Sequence, residues 1–333
     1  MNDEQPDFEE VLLPLLDHNQ PFALGKLKVL SDLDDEQQAI FQREWADVEP
    51  SHRRSLAQNM QEIGEESLDL DFRAAFMLML DDDDAQVRVA AVRGLIEDTR
   101  RSTLRRLLNM VQTDPDDGVR ANAAITLGGW GLRAAEGDVD QRISDELRET
   151  LLSIYNDQAT SPMVRQRLLE TLGYWGDDEV VIAAINQALR HADLLWQQAA
   201  ICAMGHSGTD RWLTTIKHHL SHEFAAIRFE AARAAGEIGE DAQSLVNMVA
   251  RLVTDDDIEV VTTALWALGQ IGGSAARRLL EQFARDGEGA KREAAAEALN
   301  ELQFYADPIK PLPFDDDDED EDEYWYGEDG EQN

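Results

Sequence analysis

Apolar side chains along most of this chain fall three, four and seven positions after a recurring basic residue, the period of an amphipathic helix. After Val119-Arg120 they are Ala123, Ala124 and Leu127; after Val164-Arg165, Leu168, Leu169 and Leu172; after Ile227-Arg228, Ala231, Ala232 and Ala235. Each run closes on a glycine pair, Gly128 and Gly131, Gly173 and Gly176, Gly236 and Gly239, which predicts a helix stop. Weaker copies start at Arg53, Arg88, Gln197, Val261 and Arg292. That makes about eight units, spaced roughly 31 to 35 residues apart. The interval from Arg120 to Arg165 is longer by about a dozen residues, and the excess is expected near Leu132–Asp138 as a loop insertion.

Ahead of each motif helix lies a second apolar stretch, such as Ser102–Val111, Ile143–Tyr155 or Val180–Leu189. Each unit therefore reads as a helical hairpin. Neither helix can bury its apolar stripe alone, so neighbouring hairpins must stack. The predicted fold is all-α, an α-solenoid of about eight hairpins. The links between paired helices are rich in Asp (Asp81–Asp84, Asp114, Asp116, Asp117, Asp193, Asp255–Asp257), as expected for caps on the second helix. No D-x-D-x-D-G run with a distal Glu is present, so these are not EF-hand loops. Arg88, Arg120, Arg165 and Arg228 are expected to pair with such aspartates as a structural ladder.

The Val-Arg-x-x-Ala-Ala-x-x-Leu-Gly-x-x-Gly pattern and its preceding Asp turn resemble the HEAT family, in particular the bacterial HEAT-like repeats of the phycobilisome-lyase type. The resemblance covers roughly residues 20 to 306. It implies a superhelical scaffold and says little about chemistry, because the superfamily spreads over scaffolds, lyase subunits, hydroxylases and DNA glycosylases. The chain divides into an acidic N-terminal segment (1–20), the solenoid (21–306) and an acidic C-terminal tail (307–333). Val11–Leu16 is expected to cap the first hairpin, since terminal repeats must cover an exposed core face. In the tail, Asp315–Glu323 are nine consecutive acidic residues, followed by Tyr324, Trp325 and Tyr326. Such a block cannot offset its ordering entropy and reads as disordered. Its three aromatics suggest a short docking motif as readily as a solubilising tail.

A formal net charge of −38 over 333 residues argues against nucleic acid as a direct ligand, because neutralising phosphates needs clustered Lys and Arg. The one dense basic stretch is Arg100, Arg101, Arg105 and Arg106, a solvated face or a dock for an acidic segment. A protein partner with basic segments is favoured. A single cysteine, Cys202, excludes an internal disulfide and fits a reducing compartment. Neither a signal peptide nor an apolar run long enough for a bilayer is apparent, so the chain reads as cytoplasmic.

Three enzymatic readings are open to such a chain. The resemblance raises the deoxyhypusine type of di-iron hydroxylase, which needs His-Glu pairs just after the motif Arg. Those positions hold Val89-Ala90, Ala121-Asn122, Gln166-Arg167, Phe229-Glu230 and Glu293-Ala294. His218, His219 and His222 have metal-compatible spacing but no matching second set, and read as polar histidines. A bilin lyase would share the repeat type, but Cys202 reads as a small buried thiol. No cofactor and no metal are expected, and the chain reads as non-catalytic.

Helical geometry sends motif positions one, two, five and nine away from the core, onto the face that lines the groove of such stacks. These positions nominate Arg167, Glu170, Tyr174, Phe229, Glu230, Arg233, Glu237, Trp266, Gln270 and Glu297 as a partner-binding groove. Tyr174, Phe229 and Trp266 would be its aromatic anchors. The function expected is a scaffold or adaptor for a basic protein partner. The alternatives are an acidic decoy or chaperone for nucleic-acid-binding proteins, and, behind it, a bilin-lyase-like subunit.

Overall fold

The computed structural model describes residues 7–20, 24–67 and 69–306, the last three by backbone only. It is an all-α solenoid. Eight hairpins follow one another: α2 (Asp35–Trp45) with α3 (Pro50–Glu66), α4 (Arg73–Met79) with α5 (Ala85–Gly94), and α6 (Arg101–Thr113) with α7 (Asp117–Thr126). After α8 (Gly128–Glu136) come α9 (Gln141–Asn156) with α10 (Pro162–Leu172), α11 (Glu179–Leu189) with α12 (Leu194–His206), and α13 (Leu213–His219) with α14 (Ala225–Ile238). The last two are α15 (Val246–Val249) with α16 (Ile258–Ile271), and α17 (Gly273–Asp286) with α18 (Ala290–Ala306). Helix α1 (Phe8–Leu16) precedes them and buries Leu12, Leu15 and Leu16 at the open end of the first hairpin. His52 of α3 donates to the Leu15 carbonyl at 2.9 Å.

The second helix of each hairpin packs directly on the second helix of the next, from α3 through α18. From α4 onward the first helices rest mainly on their own partners, while α2 rests on α1 and α4. The closely packed layer therefore forms the inside of the superhelix. Its spacing explains half of each glycine pair. Gly205 sits inside α12, where a Cβ would come within 2.8 Å of the Ala234 backbone on α14. Gly236 repeats this against Ala267 at 3.0 Å. These glycines are notches that admit the neighbouring helix. At α14 and α16 the second glycine ends the helix, since Gly239 and Gly272 have φ of 68° and 65°, a backbone that β-carbon residues rarely adopt, whereas Gly131 lies inside α8. The expected double stop is one stop and one close approach.

The excess between Arg120 and Arg165 is not a loop. It is α8, which continues from α7 after a bend at Leu127 and ends at Gly137 in the left-handed region. Trp130 anchors it in the core. The Asp links cap as their chemistry dictates: Asp84, Asp116, Asp193 and Asp257 each accept from a backbone N–H in the first turn of the following helix. Among the described residues, no helix is long and apolar enough to cross a membrane. Tyr324, Trp325 and Tyr326 lie outside the described residues.

Candidate partner-binding face

The motif arginines run along the turn edge. Arg88 donates from Nε and Nη2 to Asp114 at 2.9 and 2.8 Å, and from Nη1 to the Asp82 carbonyl at 2.8 Å. Arg228 repeats the arrangement with Asp255 (2.6 and 2.7 Å) and the His222 carbonyl (2.9 Å). Each clamps its own hairpin turn to the next one. Arg53 forms an ion pair with Asp82 in the same register, at 3.2 Å, without the paired hydrogen bonds. The acceptors occupy one register, two residues before the cap of the following inner helix.

That register explains why Arg120 and Arg165 differ from Arg88 and Arg228. For Arg120 the acceptor position is Ala159, so the guanidinium turns to the Val111 carbonyl (2.9 Å) and to Asp117 of its own turn (3.1 Å). For Arg165 it is His191. Arg165 pairs with no aspartate, contrary to expectation. It donates to the Tyr155 carbonyl at 2.7 Å and lies over the rings of Tyr155 and Trp196, 5.2 and 5.5 Å from their centroids. His191 and His222 replace the missing Asp within the turn itself, each accepting from a backbone N–H through Nδ1.

The inner face is less regular. Motif position five is Arg93, Ile125, Glu170, Cys202, Arg233, Trp266 and Glu297 in successive hairpins. In α14, Arg233 donates to Glu230 (2.6 Å) and Glu237 (2.5 Å). Arg167 likewise holds Glu170 at 2.8 Å. His206 of α12 joins the two sets. Its Nδ1 donates to the Glu170 carbonyl at 2.8 Å, its Nε2 accepts from the Cys202 thiol at 3.8 Å, and Glu237 Oε1 stands 3.8 Å from the same nitrogen. Burial decides the protonation here. It pushes the Glu237 carboxyl up to about 7 against the pull of Arg233, and also raises Glu170. It drives His206 down to about 4, so the ring is neutral at pH 7 and the Glu237 contact is not an ion pair. Burial keeps Cys202 a thiol.

Two of the expected aromatic anchors are already engaged. Tyr174 stacks on His206, with centroids 4.4 Å apart and planes at 9°, and its other side faces Gly131 of α8. Burial raises its hydroxyl to about 12. Phe229 packs half-buried against the core. Position one turns further inward than ideal helix angles suggest, as the buried Gln166 and Ala121 also show. Glu230 and Glu237 belong to the Arg233 cluster, and do not form a free acidic rim.

Trp266 is half-buried against the core as well, but it also lines open space. It rests on Gly236 of the preceding helix and lines an open cavity of about 450 Å³ between α14, α16 and α18. Thr262, Thr263, Glu237, Glu297, Glu301 and Arg233 complete the walls. Glu297 is exposed, and Glu301 accepts from Gln270 at 3.0 Å. Sequence position found these residues. It did not show that Thr263, Ala294 and Ala298 frame the same space, since that depends on how closely α18 approaches α16.

A profile describing HEAT repeats matches residues 73–142 and 213–300, which run from α4 into α9 and from α13 into α18. No curated protein matches the chain. Among solved structures, YibA of Escherichia coli is 16% identical over 91% of this chain and 99% of that one, with a TM-score of 0.42. Human deoxyhypusine hydroxylase in complex with glycerol is 17% identical over 89% and 96%, with a TM-score of 0.35. Kap95p, from a complex with RanGDP, is 14% identical over 89% and 40%, with a TM-score of 0.40.

Proposed function

We propose that the chain is a non-catalytic interaction scaffold that binds a basic segment of a protein partner on the inner face between α14 and α18. HEAT repeats generally serve as protein-interaction surfaces, and the observation that carries the reading here is the Trp266 cavity. It is open, it has an indole on one wall, and it carries Glu297 and Glu301 on the α18 side. A lysine or arginine side chain fits that chemistry, its charge over the indole and its donors toward the carboxylates. Position five supports the reading in a second way. A scaffold needs its packing positions to repeat and its recognition positions to vary, and position five changes from each hairpin to the next. The enzymatic readings draw no comparable support. Cys202 is 5% exposed and held as a thiol, which suits a packing role and not a lyase nucleophile.

The test uses a displayed library of short peptides, panned against the full chain and against its Trp266→Ala variant. The proposal expects Lys- and Arg-rich peptides with the wild type only, and weaker retention as salt rises. Equal enrichment on both proteins would remove Trp266 from the site. Loss of all enrichment on deleting Asp315–Asn333 would move recognition to the tail, as the decoy alternative requires.

A further inference from the structure

The outer face carries a second groove of opposite character. Helix α8 is inserted between the third and fourth hairpins, and the outer helices α6 and α9 on either side of it leave a cleft of about 170 Å³. Leu104 and Leu108 of α6 and Ile143 and Leu147 of α9 make it apolar. Arg101 and Arg105 stand at its edge, both exposed. Their neighbours are neutralised: Arg100 lies 2.5 Å from Asp98, and Arg106 pairs with Asp81. Among the described residues, neither Arg101 nor Arg105 forms an ion pair, although the chain carries 68 acidic residues against 30 basic ones. Glu146 lies on the α9 side and is the one carboxylate lining the cleft. Two unpaired guanidinium groups beside an apolar cleft fit a ligand that is acidic and also carries rings.

The chain contains one segment of that chemistry. Nine consecutive acidic residues, Asp315–Glu323, run into Tyr324, Trp325 and Tyr326, and three more acidic residues follow. We propose that the α6–α9 groove receives the 307–333 segment of a second copy of this chain. An aromatic ring of the triplet enters between Leu104 and Ile143, and the flanking carboxylates meet Arg101 and Arg105. Reach argues for a second copy. From α18 to α7 there are five inner-helix steps, roughly 50 Å at about 10 Å each. The residues from 307 to 324 span about 60 Å only when fully extended. They would also have to pass from the inner layer to the outer one. A neighbouring molecule meets no such limit. The contact is heterologous, groove to tail, so it supports chains of molecules as well as pairs.

The test uses full-length protein and a labelled synthetic peptide of residues 307–333, read by fluorescence anisotropy and sedimentation velocity. The peptide is expected to bind the wild type, at least tenfold more weakly to Arg101→Glu/Arg105→Glu, and near-normally to Arg101→Lys/Arg105→Lys. Circular dichroism checks that the variants fold. The wild type is expected to associate with rising concentration at low salt. The Arg101→Glu/Arg105→Glu chain and a Tyr324→Ala/Trp325→Ala/Tyr326→Ala chain should each stay monomeric alone. Mixed, they should form one-to-one pairs, because each supplies the half the other lacks. A wild type that stays monomeric, with peptide binding only the chain whose own triplet is Ala, overturns the second-copy arrangement in favour of a contact within one chain. Peptide that binds neither chain, or binds the Glu variant as tightly as the wild type, overturns the groove itself.

Discussion

Arg228 and Arg233 stand five residues apart on α14 and make opposite use of the same ion-pair chemistry. Arg228 faces the turn edge, where it clamps Asp255 with two parallel bonds and holds its carboxyl below the usual range. Arg233 faces the inner groove, where burial outweighs its pull and leaves Glu237 near 7. The first arrangement recurs atom for atom at Arg88 and Asp114. The second, one guanidinium between two carboxylates, occurs once among the described residues, and Arg167 with Glu170 repeats half of it. In an array whose hairpins contact only their neighbours, a pattern that recurs serves stacking, and one that does not is free to serve recognition. The turn edge is therefore the structural side of this molecule, and the proposal places recognition on the inner face of the last hairpins.

The largest effect should come from breaking the clamp. Arg228→Ala leaves the Asp255 side chain, 7% exposed, without its partner. It should cost about 3 kcal/mol. Chemical denaturation should show it as earlier loss of the last three hairpins, with peptide affinity unchanged while the protein is folded. A loss of affinity without a loss of stability would place Arg228 on the recognition side and erase the contrast.

A smaller effect is pH-dependent. Glu237 has its folded value raised from 4.5 to about 7. Its contribution to stability is therefore full below about 4.5 and lost as pH rises through 7. Glu237→Gln removes that titration. Measured against the wild type, the variant should gain on the order of 2 kcal/mol between pH 5 and pH 8. His206, depressed to about 4, makes the opposite contribution, present above 6.5 and lost as pH falls through 4. It is present in both proteins and cancels in the difference. A flat difference across that range would mean Glu237 is ionised throughout.

The smallest effect separates the regular clamps from the irregular one. Arg165 has no carboxylate to leave behind, so Arg165→Ala should cost about 1 kcal/mol, from the lost carbonyl bond and ring contacts. Thermal melts of Arg165→Ala and Arg228→Ala side by side check the order. Equal losses would show that the aspartate adds nothing to the clamp.

These contrasts also mark how far the sequence carries. The helical period, the paired helices and the Asp caps were all legible, because each is a local property of a few consecutive residues. The ladder was legible in part. Arg88 and Arg228 meet aspartates and Arg165 does not, and the difference lies in the acceptor register, which holds Asp114 and Asp255 but His191. That register can be read once the cap is known. The insertion was misread because Gly128, Gly129 and Gly131 suggest a loop, whereas they lie inside α8, where Gly131 admits Tyr174. Half the groove was legible. Helix angles placed Trp266 and Glu297 on the inner face, but Glu237 is bound to Arg233 of its own helix, and Tyr174 is withdrawn by His206 of the next hairpin. The latter depends on inter-helix distance, which no single helix encodes.

Trp266 with Glu297 is proposed to recognise a basic segment while the clamps only hold the array. The most direct measurement is the affinity of one library-selected Lys/Arg peptide for the wild type, Trp266→Ala, Glu297→Arg and Arg228→Ala, each with its melting temperature. Trp266→Ala should weaken binding by about 2 kcal/mol, roughly thirtyfold. Glu297→Arg, at an exposed position, should weaken binding with its melting temperature unchanged. Arg228→Ala should melt earlier and bind as the wild type does. If Trp266→Ala and Glu297→Arg both fold and bind like the wild type, the inner face of the last hairpins is not the binding surface.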